Sequence, residues 1–344
     1  MKTKHLFPVF ILICCIESTV SPVFAQAPVS YWGNADEMLQ VQASLIYEQA
    51  YKTLATYPPV TSPCDERKLA LFSIDALLHD TRLDNGLAFR QSIEKRHNLV
   101  VEQLKNDKPK ANEVRIYQLY NHAFIVQTPS VTIGFDMFRG GKTDHPFISE
   151  SIMQNLVSKC DILMITHEHG DHTDISVVQM FCNQNKIVLA PPGILQNFSQ
   201  HVKYLRGENV IVEKINIPEK NISLTVRVFP GHQSQMLNNV YAVTTPEGIT
   251  VMHTGDQYHT EDMKWLSRVA DEVKVDVFIV NCWTMDLLKT VEGVKPELII
   301  AGHENEMGHT IDHREPYWLT FERFKDVKTP YITMAWGEFY TITK

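Results

Sequence analysis

Asp161-Ile162-Leu163-Met164-Ile165-Thr166-His167-Glu168-His169-Gly170-Asp171-His172 begins as a short apolar run and ends in imidazoles and a carboxylate. The run Asp161–Ile165 has the length of a strand. In extended chain, residues i and i+2 face one side, so His167 and His169 can grip one ion together. Gly170 permits a sharp turn. Asp171 and His172 then face a neighbouring position, and Thr173 or Asp174 can cap the next helix. Imidazole and carboxylate suit zinc and similar divalent metals. The competing reading, a solvated polar loop, fits poorly with so dense a mix of His and Asp directly behind a buried strand.

Further ligand-type residues lie at the ends of other apolar runs. Asp136 ends Val131–Phe135, and His232 follows Leu224–Phe229. Asp256 follows Val251-Met252-His253-Thr254-Gly255, and His303 follows Ile299-Ile300-Ala301-Gly302. Chemistry gathers at strand ends when a rigid sheet must position loops. Taken with the cluster, these residues complete two coordination shells. His167, His169 and His232 would hold one metal, Asp171, His172 and His303 a second, and Asp256 would bridge them.

The surrounding texture sets the fold class. Short β-rich runs at 114–120, 123–127 and 131–135 lead into helix, strand, helix and strand up to residue 190. Strands at 210–215, 224–229, 241–244 and 250–252 precede a helix near 262–273. Strands at 275–280 and 298–301 close the series. The pattern predicts an α+β fold of two sheets sandwiched between helices. Residues 28–112 read as a helical extension, with Met38, Val41, Leu45 and Ile46 on one apolar face. No chemical motif occurs there, so its simplest role is to pack on the body and shape an entrance.

His167-x-His169-x-Asp171-His172, followed in order by His232, Asp256 and His303, resembles the metallo-β-lactamase superfamily over residues 113–344. The resemblance implies a four-layer αβ/βα sandwich, a dinuclear metal site between the sheets and metal-dependent hydrolysis. Tyr120-Asn121-His122-Ala123-Phe124-Ile125-Val126 and His253-Thr254-Gly255-Asp256 resemble segments of its lactonase and N-acyl-phosphatidylethanolamine phospholipase D-like branch. Asn121 stands where Gly is usual. β-Lactamases of the His/Cys di-zinc pattern carry Cys where this chain has Asp256, which disfavours β-lactam hydrolysis. His303, which ends a strand where the superfamily places its last ligand, is chosen over His309 and His313. His309 then either stands behind the ligands or faces the substrate, and Asp136 orients a ligand histidine. His122, His145, His253 and His259 read as structural.

The expected cofactors are two divalent ions, zinc first, with manganese or iron as alternatives. With Asp171, Asp256 and a bridging hydroxide they would retain about one positive charge. That hydroxide would attack an ester, lactone or phosphodiester, with Asp171 as the catalytic carboxylate. An iron-dependent oxidoreductase on the same ligands is the rival class, and a metal-binding scaffold without turnover is a third.

Composition narrows the partners. The chain has 344 residues, 32 Lys plus Arg against 40 Asp plus Glu, and a formal charge of −8. That sign argues against nucleic acid and leaves a small-molecule substrate. Residues 1–27 have a basic start, a short apolar run and Ala25-Gln26-Ala27, the layout of a cleaved secretory signal. The mature protein is therefore expected in the periplasm or secreted, without a membrane span. Cys64, Cys160, Cys182 and Cys282 show no disulfide framework and read as buried thiols.

Overall fold

A computed structural model describes residues 35–142 and 144–343. The expected signal at 1–27 lies outside the described residues. Three helices lead, α1 (Ala35–Thr56), α2 (Asp65–Leu78) and α3 (Leu87–Asn106). Next come β1 (Glu113–Gln118), β2 (Phe124–Gln127) and β3 (Thr132–Phe135), then a small hairpin of β4 (Gly141–Lys142) and β5 (His145–Pro146). The first half continues with α4 (Glu150–Lys159), β6 (Ile162–Met164), α5 (Ile175–Asn183), β7 (Ile187–Ala190) and β8 (Val202–Tyr204). The second half opens with β9 (Ile211–Ile217), β10 (Ile222–Gln233), β11 (Met236–Thr244) and β12 (Thr250–His253). It continues with α6 (Met263–Leu266), α7 (Val269–Glu272), β13 (Val277–Asn281), α8 (Leu287–Val294), β14 (Leu298–Gly302), α9 (Tyr317–Phe324) and β15 (Tyr331–Ile332). The last strand is β16 (Phe339–Thr343).

Two seven-stranded sheets result, in the orders β16-β1-β2-β3-β6-β7-β8 and β15-β14-β13-β12-β11-β10-β9. Each has an antiparallel part and a parallel part. β3, β6, β7 and β8 run parallel in one sheet, and β12, β13, β14 and β15 in the other. Parallel neighbours need crossovers, which the helices supply except between β7 and β8, where a single 3-10 turn at Gln196–Phe198 intervenes. Side chains alternate between faces. Val277 and Ile279 meet Val114, Ile116 and Phe135 between the sheets. Phe278 and Val280 point the other way, onto Val269, Val294 and Phe324. Both faces of β13 are buried, so it reads as one apolar run. The outer face of the first sheet packs Tyr117, Ile125 and Leu163 against Leu71, Phe89, Leu156 and Phe181 of the helices. The order helix, sheet, sheet, helix is the expected four-layer sandwich.

Two expectations about the secondary-structure elements fail. Met38, Val41, Leu45 and Ile46 are exposed, at 52%, 55%, 60% and 41%. α1 instead buries Ala43, Tyr47, Ala50 and Leu54. Those residues also recur at helical steps, and their alanines are small enough for close helix contact. β16 was not anticipated after residue 301. It pairs antiparallel with β1, Glu113 opposite Thr343 and Tyr117 opposite Phe339. Four of its five residues are half-buried, so its burial pattern shows no clear alternation.

The helical front braces one end of the body. Arg67, 1% exposed, makes a fork with Glu338, at 2.9 Å to Oε1 and 2.7 Å to Oε2. On α2, Asp75 accepts from Asn305 Nδ2 at 2.9 Å and from the backbone of Tyr317 and Trp318 at 2.9 and 3.2 Å. The front therefore holds the loop that follows His303. The four cysteines are unpaired, with Cys160, Cys182 and Cys282 buried and Cys64, against expectation, exposed.

Candidate metal centre

Except for His232, which lies within antiparallel β10, the expected ligands follow the carboxyl ends of parallel strands, where the crossover loops begin. Asp136 follows β3, the His167–His172 segment follows β6, Asp256 follows β12 and His303 follows β14. Tyr241 Oη donates to the Ile165 carbonyl at 2.9 Å, and Asn239 N to the Thr166 carbonyl at 2.8 Å. The second sheet thus fixes the segment carried by the first.

Among the described residues three groups of potential ligand atoms form, two of them sharing Asp256. His172 Nε2 lies 3.2 Å from Asp256 Oδ1 and 3.4 Å from Asp171 Oδ2. His303 Nε2 lies 3.4 Å from Asp256 Oδ1 and 3.5 Å from Asp171 Oδ2. Atoms bound about 2.0–2.1 Å from one tetrahedral ion sit roughly 3.3–3.5 Å apart. His167, His169 and Asp256 form the neighbouring group, with His167 Nε2 3.7 Å from Asp256 Oδ2. Asp256 faces both groups with different oxygens. Nε2 of His167, His172 and His303, and Oδ1 of Asp256, are buried without a hydrogen-bond partner. Buried polar atoms ordinarily have one, so these residues fit a bound cation.

His232 is the exception. The sequence placed it with His167 and His169, but the structure turns it away. Its Nδ1 faces Asp262 at 3.1 Å, and Arg206 Nη2 lies 3.0 Å from its Nε2. A guanidinium only donates, so His232 Nε2 acts as acceptor and Nδ1 carries the proton toward Asp262. His259 joins this separate cluster. Next to His232, Gln233 Nε2 donates to Asp256 Oδ2 at 3.1 Å.

Supporting groups orient the remaining ligands. Asp136 Oδ2 lies 2.8 Å from His172 Nδ1 and accepts from Thr166 Oγ1 at 2.6 Å, while its Oδ1 accepts from Thr166 N at 2.8 Å. Asn121 Nδ2 donates to Asp171 Oδ2 at 3.0 Å. Asn121, Asp136 and His303 hold φ of 57°, 44° and 73°, in the left-handed region. Strain of this kind costs about 1–3 kcal/mol and persists where surrounding structure enforces it. Gly255 also lies there, at φ 52°, and a Cβ on it would stand 2.4 Å from Asn238 Oδ1 and 2.5 Å from Thr166 Oγ1. Only glycine lets the 253–256 turn approach β6 so closely.

Residues 134–312, just over half of the chain, match the family described as beta-lactamase superfamily domain. The chain belongs to the metallo-β-lactamase superfamily. Two similar proteins are described as UPF0173 metal-dependent hydrolases. The one from Saccharolobus solfataricus is 28% identical over 144 residues, covering 40% of this chain and 62% of its own length. The one from Sulfurisphaera tokodaii is 28% identical over 174 residues, covering 46% of this chain and 74% of its own. This chain therefore spans less than two thirds of the first relative. Igni18, a metallo hydrolase from Ignicoccus hospitalis, shares the fold at TM-score 0.53 and 17% identity, over 67% of this chain and 99% of that one.

The electrostatics of these residues suit a cation. Burial pushes His172 and His303 down, but Asp256 and Asp171 outweigh it, and both imidazoles lie well above the usual range. Burial raises Asp171 and Asp256, and His172 and its neighbours more than reverse this, holding both well below. Protons on the two rings thus stand where cationic charge is wanted, and a bound metal would displace them. Burial, assisted by His172, drives His167 down to about 3, so it is a neutral donor at neutral pH.

Of the histidines read as structural, His253 is tied by Gly255 N to its Nδ1 at 3.0 Å and by its Nε2 to the His122 carbonyl at 3.1 Å. His122 is buried with both ring nitrogens unpartnered. Cys282 reaches the His303 carbonyl from Sγ at 3.7 Å and is a buried thiol. A cleft of about 550 Å³ opens beside Asp171, lined by Phe138, Arg139, Glu306 and His309. His309 lies behind His303, ring centroids 6.2 Å apart. Sequence reasoning passed over Glu306 and Arg139, since neither belongs to a motif.

Proposed function

We propose that this chain is a metal-dependent hydrolase that cleaves an ester, lactone or phosphodiester in a small molecule, as an exported protein with a dinuclear zinc centre. The reading is carried by one observation: Nε2 of His172 and His303 converge on carboxylate oxygens of Asp171 and Asp256 at ligand-to-ligand spacing. Two bound divalent ions would supply a hydroxide at neutral pH and polarise the attacked oxygen. Asp171 orients the nucleophile or accepts its proton, and Asn121 fixes one Asp171 oxygen for that task. Asp136 fixes the ring of His172 through Nδ1, leaving Nε2 turned inward. His309 borders the cleft where the substrate would lie. Export is supported by the pattern of residues 1–27, and no helix of the described residues is long and apolar enough to cross a membrane.

The test is a panel of aryl ester, lactone, phosphodiester and β-lactam substrates, assayed with zinc-loaded and chelator-treated protein. Turnover of at least one of the first three, lost on chelation and in Asp171→Ala, supports the reading. No turnover of any, or full turnover by Asp171→Ala with its metal retained, contradicts it.

A further inference from the structure

The cleft beside Asp171 contains a guanidinium with spare donors. Arg139 is only 8% exposed. Its backbone N and its Nε both donate to Asp174 Oδ2 at 3.2 Å. Asp174 is itself anchored, because Oδ1 caps α5 by accepting from Ser176 N at 2.9 Å and Val177 N at 3.4 Å. One carboxylate oxygen therefore fixes the arginine. Its two terminal nitrogens donate to no group among the described residues, although they lie in a side chain that is nine-tenths buried. Arg67, by contrast, spends its whole fork on Glu338 and the Tyr57 and Thr333 carbonyls.

The carboxylates around the cleft are already engaged. Glu306 turns its carboxylate onto Gly308 N, onto His309 N at 3.1 Å and onto Tyr120 Oη at 3.3 Å. Asp171 faces His172 and His303. Lys142, exposed at the cleft rim, adds a second positive charge. Terminal guanidinium nitrogens form a planar fork that matches a carboxylate or phosphate.

We infer that Arg139 is the anion-binding group of the substrate cleft, so that the substrate is a small molecule carrying a carboxylate or phosphate beside the bond to be cleaved. This rests on the hydrolase reading for the word substrate, though not for the binding itself. Asp174 is then the positioning residue that aims the fork.

The test titrates sodium glutarate and, separately, inorganic phosphate into the zinc-loaded full chain by calorimetry. Any contribution of the metals is common to wild type and variants. The expected result is that wild type binds at least one of the two anions, with Arg139→Gln weakening that binding by about tenfold or more and Arg139→Lys by a smaller factor. Zinc content and melting temperature report that each variant is folded, and Arg139→Lys serves should Arg139→Gln not fold. Glutarate binding alone assigns a carboxylate, and phosphate binding alone a phosphoryl group. Equal binding by wild type and the folded variants, or no binding of either anion by wild type, overturns the inference. Arg139-dependent binding in a protein that hydrolyses nothing would leave the subsite standing and remove the hydrolase reading. Hydrolysis with binding indifferent to Arg139 would do the reverse.

Discussion

Asn121 donates its side-chain amide to Asp171 Oδ2 across 3.0 Å, bringing the loop after β1 to the centre of the site. The backbone at Asn121 is left-handed, with φ 57°, a conformation that Asn tolerates better than most residues. A hydrogen bond to a charged group contributes about 1.5–3 kcal/mol. Asn121→Ala should therefore lower kcat/KM by roughly 10–100-fold with zinc content unchanged. Unaltered kinetics on a responsive substrate would show that the amide has no part in orienting Asp171.

Asp136 acts one step further out. It fixes His172 through Nδ1 at 2.8 Å and holds Thr166 by both backbone and hydroxyl. Removing such a partner typically weakens metal binding by about 10–100-fold. Asp136→Ala should show that loss in a competition titration against a chromophoric chelator. Wild-type affinity in a folded Asp136→Ala protein would assign the carboxylate a purely structural role.

Histidine substitutions should separate by position. His303 Nε2 points at two carboxylates, whereas His232 is engaged by Asp262 and Arg206. Elemental analysis after gel filtration should find His303→Ala depleted of zinc. His232→Ala and His309→Ala should retain most of theirs. Equal depletion in His232→Ala would mean that His232 leaves Asp262 to bind metal.

His97 supplies a pH dependence remote from the site. Burial lowers its pKa to about 4, and its Nδ1 lies 2.7 Å from the Ile93 carbonyl. The unfolded chain titrates near ~6.5, so between ~6.5 and ~4 it binds the proton that the folded chain refuses. Stability is whole above that window, falls as the pH drops through it, and loses about 3 kcal/mol by its lower end. Denaturant melts from pH 7 to 4 should show His97→Phe falling less steeply than wild type. Parallel curves would rule out a neutral buried His97.

Much of this was legible in the sequence. A strand-length apolar run ending in His167-Glu168-His169-Gly170-Asp171-His172 carries its own geometry, since alternation and one glycine turn set the directions. Asp256 and His303 were legible because each ends an apolar run. The orientation of His232 was not, because it depends on Arg206 and Asp262, 26 and 30 residues away. The buried face of α1 was hidden for another reason. Its contacts use Ala43 and Ala50, while larger apolar residues of the same helix face solvent. The bracing role of α2 rests on Asp75 reaching Asn305 across 230 positions, which no local pattern announces.

The most direct test of the metal centre is anomalous diffraction at the zinc edge from crystals of the zinc-loaded protein. The account predicts a peak enclosed by Asp171, His172, Asp256 and His303, and a second beside His167, His169 and Asp256. Peaks confined to other surfaces, or those side chains splayed around solvent with zinc in excess, would contradict it.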